Sequence, residues 1–407
     1  MDKKTNKKID ILIIYRNDYD IVGGVEKVLL HFLEFIKSNY NYIDIEFCFI
    51  KNFRIPFDKK HNEEIYFNHF IENLKSYDIK FYNIYKTTFR GIGLLNLFFK
   101  GLLGLDLLYD YKDLFNLIRN KKYNIIIILN NLFYLNSVNK VIKDLSYNVK
   151  IFYWDHGFLV FYKYLWQNSQ KFFKIIENKK KKELEKGIKN IGNYLCISRG
   201  IERIIKEINP EANTYLVYNP VEIPKEVKLI PRGENNVLLY VGRLEDNQKN
   251  ISFMLRGLSR LKEYKWELRV IGKGPDEGKL RKLSKELGIE ERIRWEGFKR
   301  DPYEDLEEVK VLLLTSRWEG LPLVLVEGNV RGIPFLSSNC VSGPEDIVIE
   351  GVNGYLYEEG NMEDFVDKLK RILTNELRFA DPYEIHKTSY RFEKSKILNN
   401  ITNIILG

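Results

Sequence analysis

Short apolar runs rich in β-branched residues alternate with stretches of helical period along the whole chain, and that alternation admits few folds. Runs of four to eight such residues bury on both faces only in a parallel sheet covered by helices, so the fold class is α/β. Strands are expected at Ile9–Tyr15, Ile43–Ile50, Ile125–Leu129, Val149–Trp154 and Tyr194–Ile197, and again at Val237–Val241, Glu267–Ile271, Ile293–Glu296, Val311–Leu314 and Phe335–Ser337. Helices are expected at Gly24–Lys37, Ile251–Leu261, Gly278–Leu287, Pro322–Val330 and Met362–Leu373. A length of 407 residues allows two domains, each burying its own core. The two sets meet at Tyr218-Asn219-Pro220-Val221-Glu222-Ile223-Pro224, whose paired prolines and lack of period mark a linker. The expected division is a first domain over 1–218, a linker over 219–224, a second domain over 225–381 and a helical tail over 382–407.

The formal net charge of +9 is unevenly spread. Lys and Arg outnumber Asp and Glu by ten over residues 1–222 and fall one short over 223–407. The first half therefore either meets an anionic surface (phospholipid head groups, a lipid diphosphate, nucleic acid) or carries a generally Lys-rich exterior. Cys48, Cys196 and Cys340 lie far apart without CxxC spacing, which speaks against a disulfide framework and a zinc site. The apolar run behind the basic N-terminus is interrupted by Asp10 and closes at Arg16, too short for a signal segment. Ile92–Tyr109, the most apolar stretch, contains Asn96, Lys100 and Asp106 and makes no clean spanning helix. A cytoplasmic protein, at most peripheral to a membrane, is expected.

Four segments carry chemistry. In Thr315-Ser316-Arg317-Trp318-Glu319-Gly320-Leu321-Pro322-Leu323-Val324-Leu325-Val326-Glu327-Gly328, a buried strand turns into a helix opened by proline. Free N–H groups and the positive dipole end make such a turn a phosphate site. Glu319 and Glu327 flank it; at helical rise, eight residues span on the order of 10 Å, the reach from a donor hexose to the ribose of one nucleotide sugar. Spacing alone equally fits two surface glutamates. In Tyr240-Val241-Gly242-Arg243-Leu244-Glu245-Asp246-Asn247-Gln248-Lys249, a strand ends at glycine and two cations follow, suited to a leaving diphosphate or simply solvated. Gly23 and Gly24 precede a helix and permit close backbone approach to a ligand. They do not form GxGxxG, and Ile271-Gly272-Lys273-Gly274-Pro275 is only a fragment of it, so a dehydrogenase fingerprint is absent. In Trp154-Asp155-His156-Gly157, a histidine follows a strand at the end where open α/β sheets place ligands.

Taken together and in this order, the four segments resemble glycosyltransferase family 4, whose members share the GT-B architecture. The resemblance implies two Rossmann-like domains with parallel sheets facing across a cleft and a C-terminal helix returning toward the first domain. It implies that Glu319 and Glu327 form the E-x7-E pair and that Arg243 and Lys249 bind the diphosphate with the amides of Leu323 and Val324. Gly23 and Gly24 would form the N-terminal glycine loop, and His156 would lie near the donor sugar. Trp295-Glu296-Gly297-Phe298 and Cys340-Val341-Ser342-Gly343-Pro344 also resemble family segments. The second is similar to members that use UDP-linked hexoses or N-acetylhexosamines. Gly328 stands where the family has alanine, and Asp346 where it has glutamate. The implied reaction retains anomeric configuration, with Glu319 on the sugar and Glu327 on the ribose. No metal or other cofactor is expected beyond the nucleotide-sugar co-substrate; Asp18-Tyr19-Asp20 matches DxD by chance.

The acceptor-binding residues are not legible. Acceptors of such enzymes bind the first domain, where Ile92–Tyr109 and Phe158–Lys174 interleave aromatics and leucines with lysines. That composition suits an anionic membrane carrying a polyprenyl-linked or surface glycan, and equally suits core helices with snorkelling lysines. A nucleotide-sugar epimerase or a phosphorylase shares the two-domain shape. Nucleic-acid binding fits the basic charge, but the charge is diffuse and no binding motif accompanies it.

Overall fold

The computed structural model describes residues 8–16, 24–51, 72, 74–85, 112–129, 143, 145, 147–168 and 174–407. The chain divides into two compact units: residues 1–197, 201–217 and 398–407 form one, and residues 198–200 and 218–397 the other.

The first unit holds a seven-stranded sheet of β1 (Ile9–Arg16), β2 (Ile43–Lys51), β3 (Lys80–Tyr85), β4 (Ile125–Leu129), β5 (Lys150–Asp155), β6 (Asn193–Cys196) and β7 (Asn213–Leu216), in the order β3-β2-β1-β4-β5-β6-β7. Every pairing is parallel. The second unit holds β8 (Val237–Val241), β9 (Glu267–Ile271), β10 (Ile293–Gly297), β11 (Val311–Leu314), β12 (Phe335–Ser338) and β13 (Gly354–Tyr357), in the order β10-β9-β8-β11-β12-β13, again all parallel. The central strands are the most apolar. All five residues of β4 and all four of β11 are buried, each contributing roughly 1.5–3 kcal/mol of burial. Helices cover both sheets, as parallel connections require.

All ten strands expected from sequence are present with ends shifted by at most one residue, and β3, β7 and β13 are additional. Of the expected helices, Met362–Leu373 matches residue for residue. The helix expected at Pro322 starts at Leu323, because Pro322 is extended (φ −73°, ψ 91°) and stands at the cap position. The tail is helical over Pro382–Thr388 and Lys394–Leu406, with a 3-10 turn at Ser389–Phe392 between.

The fragment Ile271-Gly272-Lys273-Gly274 packs backbone rather than phosphate. A Cβ on Gly272 (φ +146°) would lie 1.9 Å from the Gly242 carbonyl oxygen, and one on Gly274 would strike the Leu244 backbone at 2.3 Å. These glycines let the turn after β9 lie against the turn after β8, with Gly242 N–H donating to the Ile271 carbonyl (3.0 Å) and Leu244 N–H to that of Lys273 (3.0 Å).

Candidate functional site

In the second sheet, β8 is followed by β9 and β10 on one side, while β11, β12 and β13 run out on the other. The direction of winding reverses between β8 and β11, and open α/β sheets bind ligands at the carboxyl ends of such a pair. The segments carrying Arg243 with Lys249 and Glu319 with Glu327 follow β8 and β11, the two strands flanking the reversal.

Side chains tie these segments together. Lys249 Nζ donates to Glu319 Oε1 at 2.6 Å, with both side chains largely buried. Ser316 Oγ donates to the same oxygen at 2.6 Å. The Arg243 guanidinium donates to Gln248 Oε1 at 3.2 Å, and Gln248 Nε2 in turn donates to the Trp318 carbonyl at 3.2 Å. Thr315 Oγ1 donates to the Lys249 carbonyl at 2.9 Å. Arg243, Lys249 and Glu319 therefore belong to one connected cluster. An ammonium keeps three donors, so Lys249 can hold Glu319 and still face an anion.

Behind Glu319 the chain runs extended through Pro322 into the helix Leu323–Val330. That helix has no side-chain hydrogen bond at its cap and no acidic residue in its first turn, so it brings no carboxylate of its own to its leading amides and positive end. Leu323 and Val324 supply the leading amides. Glu327 stands three and four residues further on and shares their face. Tyr303 marks the position: its hydroxyl donates to the Val324 carbonyl at 3.2 Å, and burial together with the Glu327 charge raises its pKa. The separation of Glu319 and Glu327 does not follow a helical rise throughout, since residues 319–322 precede the helix.

Gly343 (φ +95°) presses against this turn: a Cβ there would meet Pro322 Cδ at 2.6 Å and the Gly320 carbonyl at 2.8 Å. Asp346, one of the departures from the family pattern, is buried within the second unit. It accepts from the Arg199 N–H (3.1 Å) and the Tyr218 hydroxyl (3.1 Å), and burial raises its carboxyl pKa.

In the first unit the winding reverses between β1 and β4. Gly24 opens the helix Gly24–Asn39 after β1, while Gly23 and Asp18-Tyr19-Asp20 lie outside the described residues. His156 follows β5, with its ring 5.0 Å from that of the fully buried Trp154. Beside it, Asp155 accepts from the N–H groups of Gly157 (2.8 Å) and Leu159 (3.2 Å) and from the Tyr153 hydroxyl (3.1 Å). Its carboxyl, fully buried, is pushed up to about 6 by desolvation against those hydrogen bonds. In the helix Phe158–Asn168, Leu159 and Val160 are core residues, while Phe158, Tyr162 and Trp166 form a half-buried ring ladder. Ile92–Tyr109 lies outside the described residues, and no helix among the described residues is long and apolar enough to cross a membrane.

Residues 223–390 match the family model of glycosyl transferases group 1. That stretch contains every second-unit residue of the site. The chain is 37% identical over 221 residues to lipopolysaccharide 1,6-galactosyltransferase of Escherichia coli K12 and 38% identical over the same length to that of Salmonella typhimurium LT2. Each alignment covers 53% of this chain, and the chain spans 61% of the length of these curated relatives. Among solved structures, the apo form of the lipopolysaccharide outer core galactosyltransferase WaaB is 28% identical, with a TM-score of 0.74, 98% of this chain and 99% of that chain being covered. The Anabaena protein HepE in complex with UDP and glucose shares the fold at 16% identity and a TM-score of 0.66, covering 97% of this chain and 99% of that one. The two units are the Rossmann-like domains of the GT-B architecture.

Four contributors escaped the sequence reading, Gln248 among them. Ser316 and Arg317 were inside a segment read for its glutamates, and serine or arginine at a strand end carries no signal by type. Asp155 left none either: a cap signature is an aspartate directly before the first helical residue, and here Gly157 holds that place ahead of Phe158.

Proposed function

We propose that the chain is a retaining glycosyltransferase. It transfers a hexose or N-acetylhexosamine from a UDP-linked donor to a glycan or lipid-linked glycan in surface polysaccharide synthesis. The observation that carries this reading is the contact of Lys249 with Glu319 at the point where winding reverses, directly before an uncapped helix. One loop offers cations, the next a carboxylate, and the helix its amides; a sugar joined to a diphosphate needs all three. The match of residues 223–390 to glycosyl transferases group 1, the galactosyltransferase relatives and the UDP complex of a protein of this fold support the donor class.

In this reading Arg243 and Lys249 take up the charge of the departing diphosphate together with the amides of Leu323 and Val324. Glu319, held at Oε1 by Lys249 and Ser316, presents Oε2 to a sugar hydroxyl, and Glu327 accepts from the ribose. Two fixed cations and a helix end supply the neutralisation that a divalent metal provides elsewhere, so turnover is expected to survive chelation by EDTA. Gly23, Gly24 and His156 are assigned to the donor from the first domain, as family 4 implies. The protein works at the cytoplasmic face of a membrane, touching it through the basic first domain.

The test is a thermal-shift screen over UDP-, GDP-, ADP- and dTDP-sugars, followed by proton NMR of the product's anomeric centre. Stabilisation by UDP-sugars and a product keeping the donor's configuration are expected. No shift with any nucleotide sugar would overturn the donor class, and inversion would overturn the retaining mechanism.

A further inference from the structure

Arg317 lies on the loop that carries Glu319, and its hydrogen bonds go to the loop that carries Lys249. Its guanidinium donates to the carbonyls of Asp246 (2.6 Å) and Asn247 (2.8 Å) and to Asn250 Oδ1, while its backbone N–H donates to the Gln248 carbonyl at 2.9 Å. The carbonyls it meets belong to the four-residue helix Asp246–Lys249. Within it the Asp246 carbonyl accepts from the Asn250 N–H at 3.0 Å, but a carbonyl has two lone pairs and a helix that short offers few further donors, so a planar fork satisfies several acceptors at once.

Asn250 explains why a clamp is needed. It adopts a left-handed conformation (φ 51°, ψ 42°), breaking the chain between the helices Asp246–Lys249 and Ile251–Ser259. Asparagine tolerates that region better than most residues but still at a cost, and such a kink persists where neighbours over-determine it. The kink ends the first helix at Lys249, whose ammonium reaches Glu319 at 2.6 Å. Asn250 is buried, and its side-chain oxygen accepts from Arg317. Arg317 also stands two residues before Glu319 on the same turn, so one side chain sets the cation and the carboxylate in register.

We infer that Arg317 is the positioning residue that fixes Lys249 against Glu319 and thereby aims the cation at the leaving diphosphate. It touches no substrate in this role. Its effect on turnover rests on the function proposed above; its effect on the loop does not.

Two readouts separate those levels. The first is labelling of Lys249 in the full-length protein by an acetylating reagent, followed by mass spectrometry. Arg317→Ala is expected to raise the labelling rate at least several-fold over wild type, with Lys285 as an exposed reference. Unchanged Lys249 labelling overturns the inference whatever the turnover. The second is UDP-sugar hydrolysis or transfer. Arg317→Ala is expected to lower kcat by about 10- to 100-fold with donor KM altered less than threefold, the pattern of an interaction gained in the transition state. Millimolar guanidinium should restore part of that loss, and Arg317→Lys, with one ammonium for three acceptors, should keep an intermediate rate. A full kcat in Arg317→Ala, or a loss that guanidinium leaves untouched and that tracks a fallen unfolding midpoint, overturns it. Absence of turnover in the wild type would instead count against the proposed function and leave the labelling result standing.

Discussion

Two strand-to-helix turns in this molecule solve the same problem in opposite ways. After β5, the chain supplies its own anion: Asp155 accepts from Gly157 and Leu159 and closes the start of the helix Phe158–Asn168. After β11, the turn's carboxylate, Glu319, accepts from Lys249 and Ser316 and does not cap the helix. Pro322 offers no side-chain acceptor and the first turn lacks Asp and Glu, so the leading amides of Leu323 and Val324 have no side-chain cap, which under the proposed function leaves them to a diphosphate. A helix start attracts negative charge in either case; what differs is whether the protein or the substrate provides it. The closed turn therefore suits holding a neighbour such as His156 in place, and the open one suits capture of a diphosphate.

The largest effect should come from the cations facing the open turn. Lys249→Ala is expected to lower kcat with a UDP-sugar by about 10²–10³, the usual loss when one stabilising group is taken from developing negative charge, and Arg243→Ala by a similar factor. Steady-state kinetics on the folded variants checks this. Near-normal turnover in both would remove the reason for reading the turn as open to phosphate.

The closed turn should announce itself through pH. Asp155 keeps its proton in the folded state up to about 6, whereas its ordinary value is 3.8. Between those values the unfolded chain has released the proton and the folded chain still holds it. The contribution of Asp155 to stability is thus greatest below about 4, declines as pH rises through 6 and is level above. Denaturant unfolding of wild type and Asp155→Asn at pH 4, 5, 6 and 7 should show the variant gaining on wild type by on the order of 2–3 kcal/mol across that window. A difference independent of pH would mean that Asp155 is charged throughout, and the contrast between the turns would lose its electrostatic basis.

How much of this the sequence disclosed follows from burial. Ile125–Leu129, Val237–Val241 and Val311–Leu314 were legible to the residue because central strands are apolar on both faces. The missed strands, Lys80–Tyr85, Asn213–Leu216 and Gly354–Tyr357, all lie at sheet edges, where one side lacks a partner and polar residues are favoured. Asn213–Leu216 has no buried residue at all. At the site, the type and spacing of Glu319, Arg243 and Lys249 fitted surface residues as well, their roles came from the family resemblance, and the structure joins the three in one cluster. Arg317 and Gln248 were not found from sequence, because their function lies in which carbonyl or amide they meet across about 70 residues of chain, a relation that no local pattern carries.

The open turn can also be closed by design. Pro322→Asp would place a carboxylate at the cap position, where it competes with a bound diphosphate for the same amides. Calorimetric titration with UDP should show affinity reduced about five- to tenfold, matching the roughly 1 kcal/mol that a charge at a helix end contributes. Pro322→Ala is the control for lost packing against Gly343 and should retain most of the affinity. Equal binding by all three proteins would show that the helix start takes no part in holding the nucleotide.

The smallest effect concerns the body of the same helix. Gly328 stands inside Leu323–Val330, where a glycine costs about 0.5–1 kcal/mol relative to alanine through the freedom lost on folding. A Cβ there would find the Ile333 carbonyl oxygen at 3.8 Å and Leu312 Cδ1 at 3.8 Å, ordinary contact distances. Gly328→Ala should therefore raise the unfolding free energy by about 0.5–1 kcal/mol and leave UDP affinity and kcat unchanged. The anion is drawn by the helix's free leading amides and not by the firmness of the turns behind them, so stability and capture should come apart in this variant. If kcat or affinity moved together with stability, the openness of the turn would depend on the flexibility of its helix, and the contrast with the Asp155 turn would be one of rigidity rather than charge.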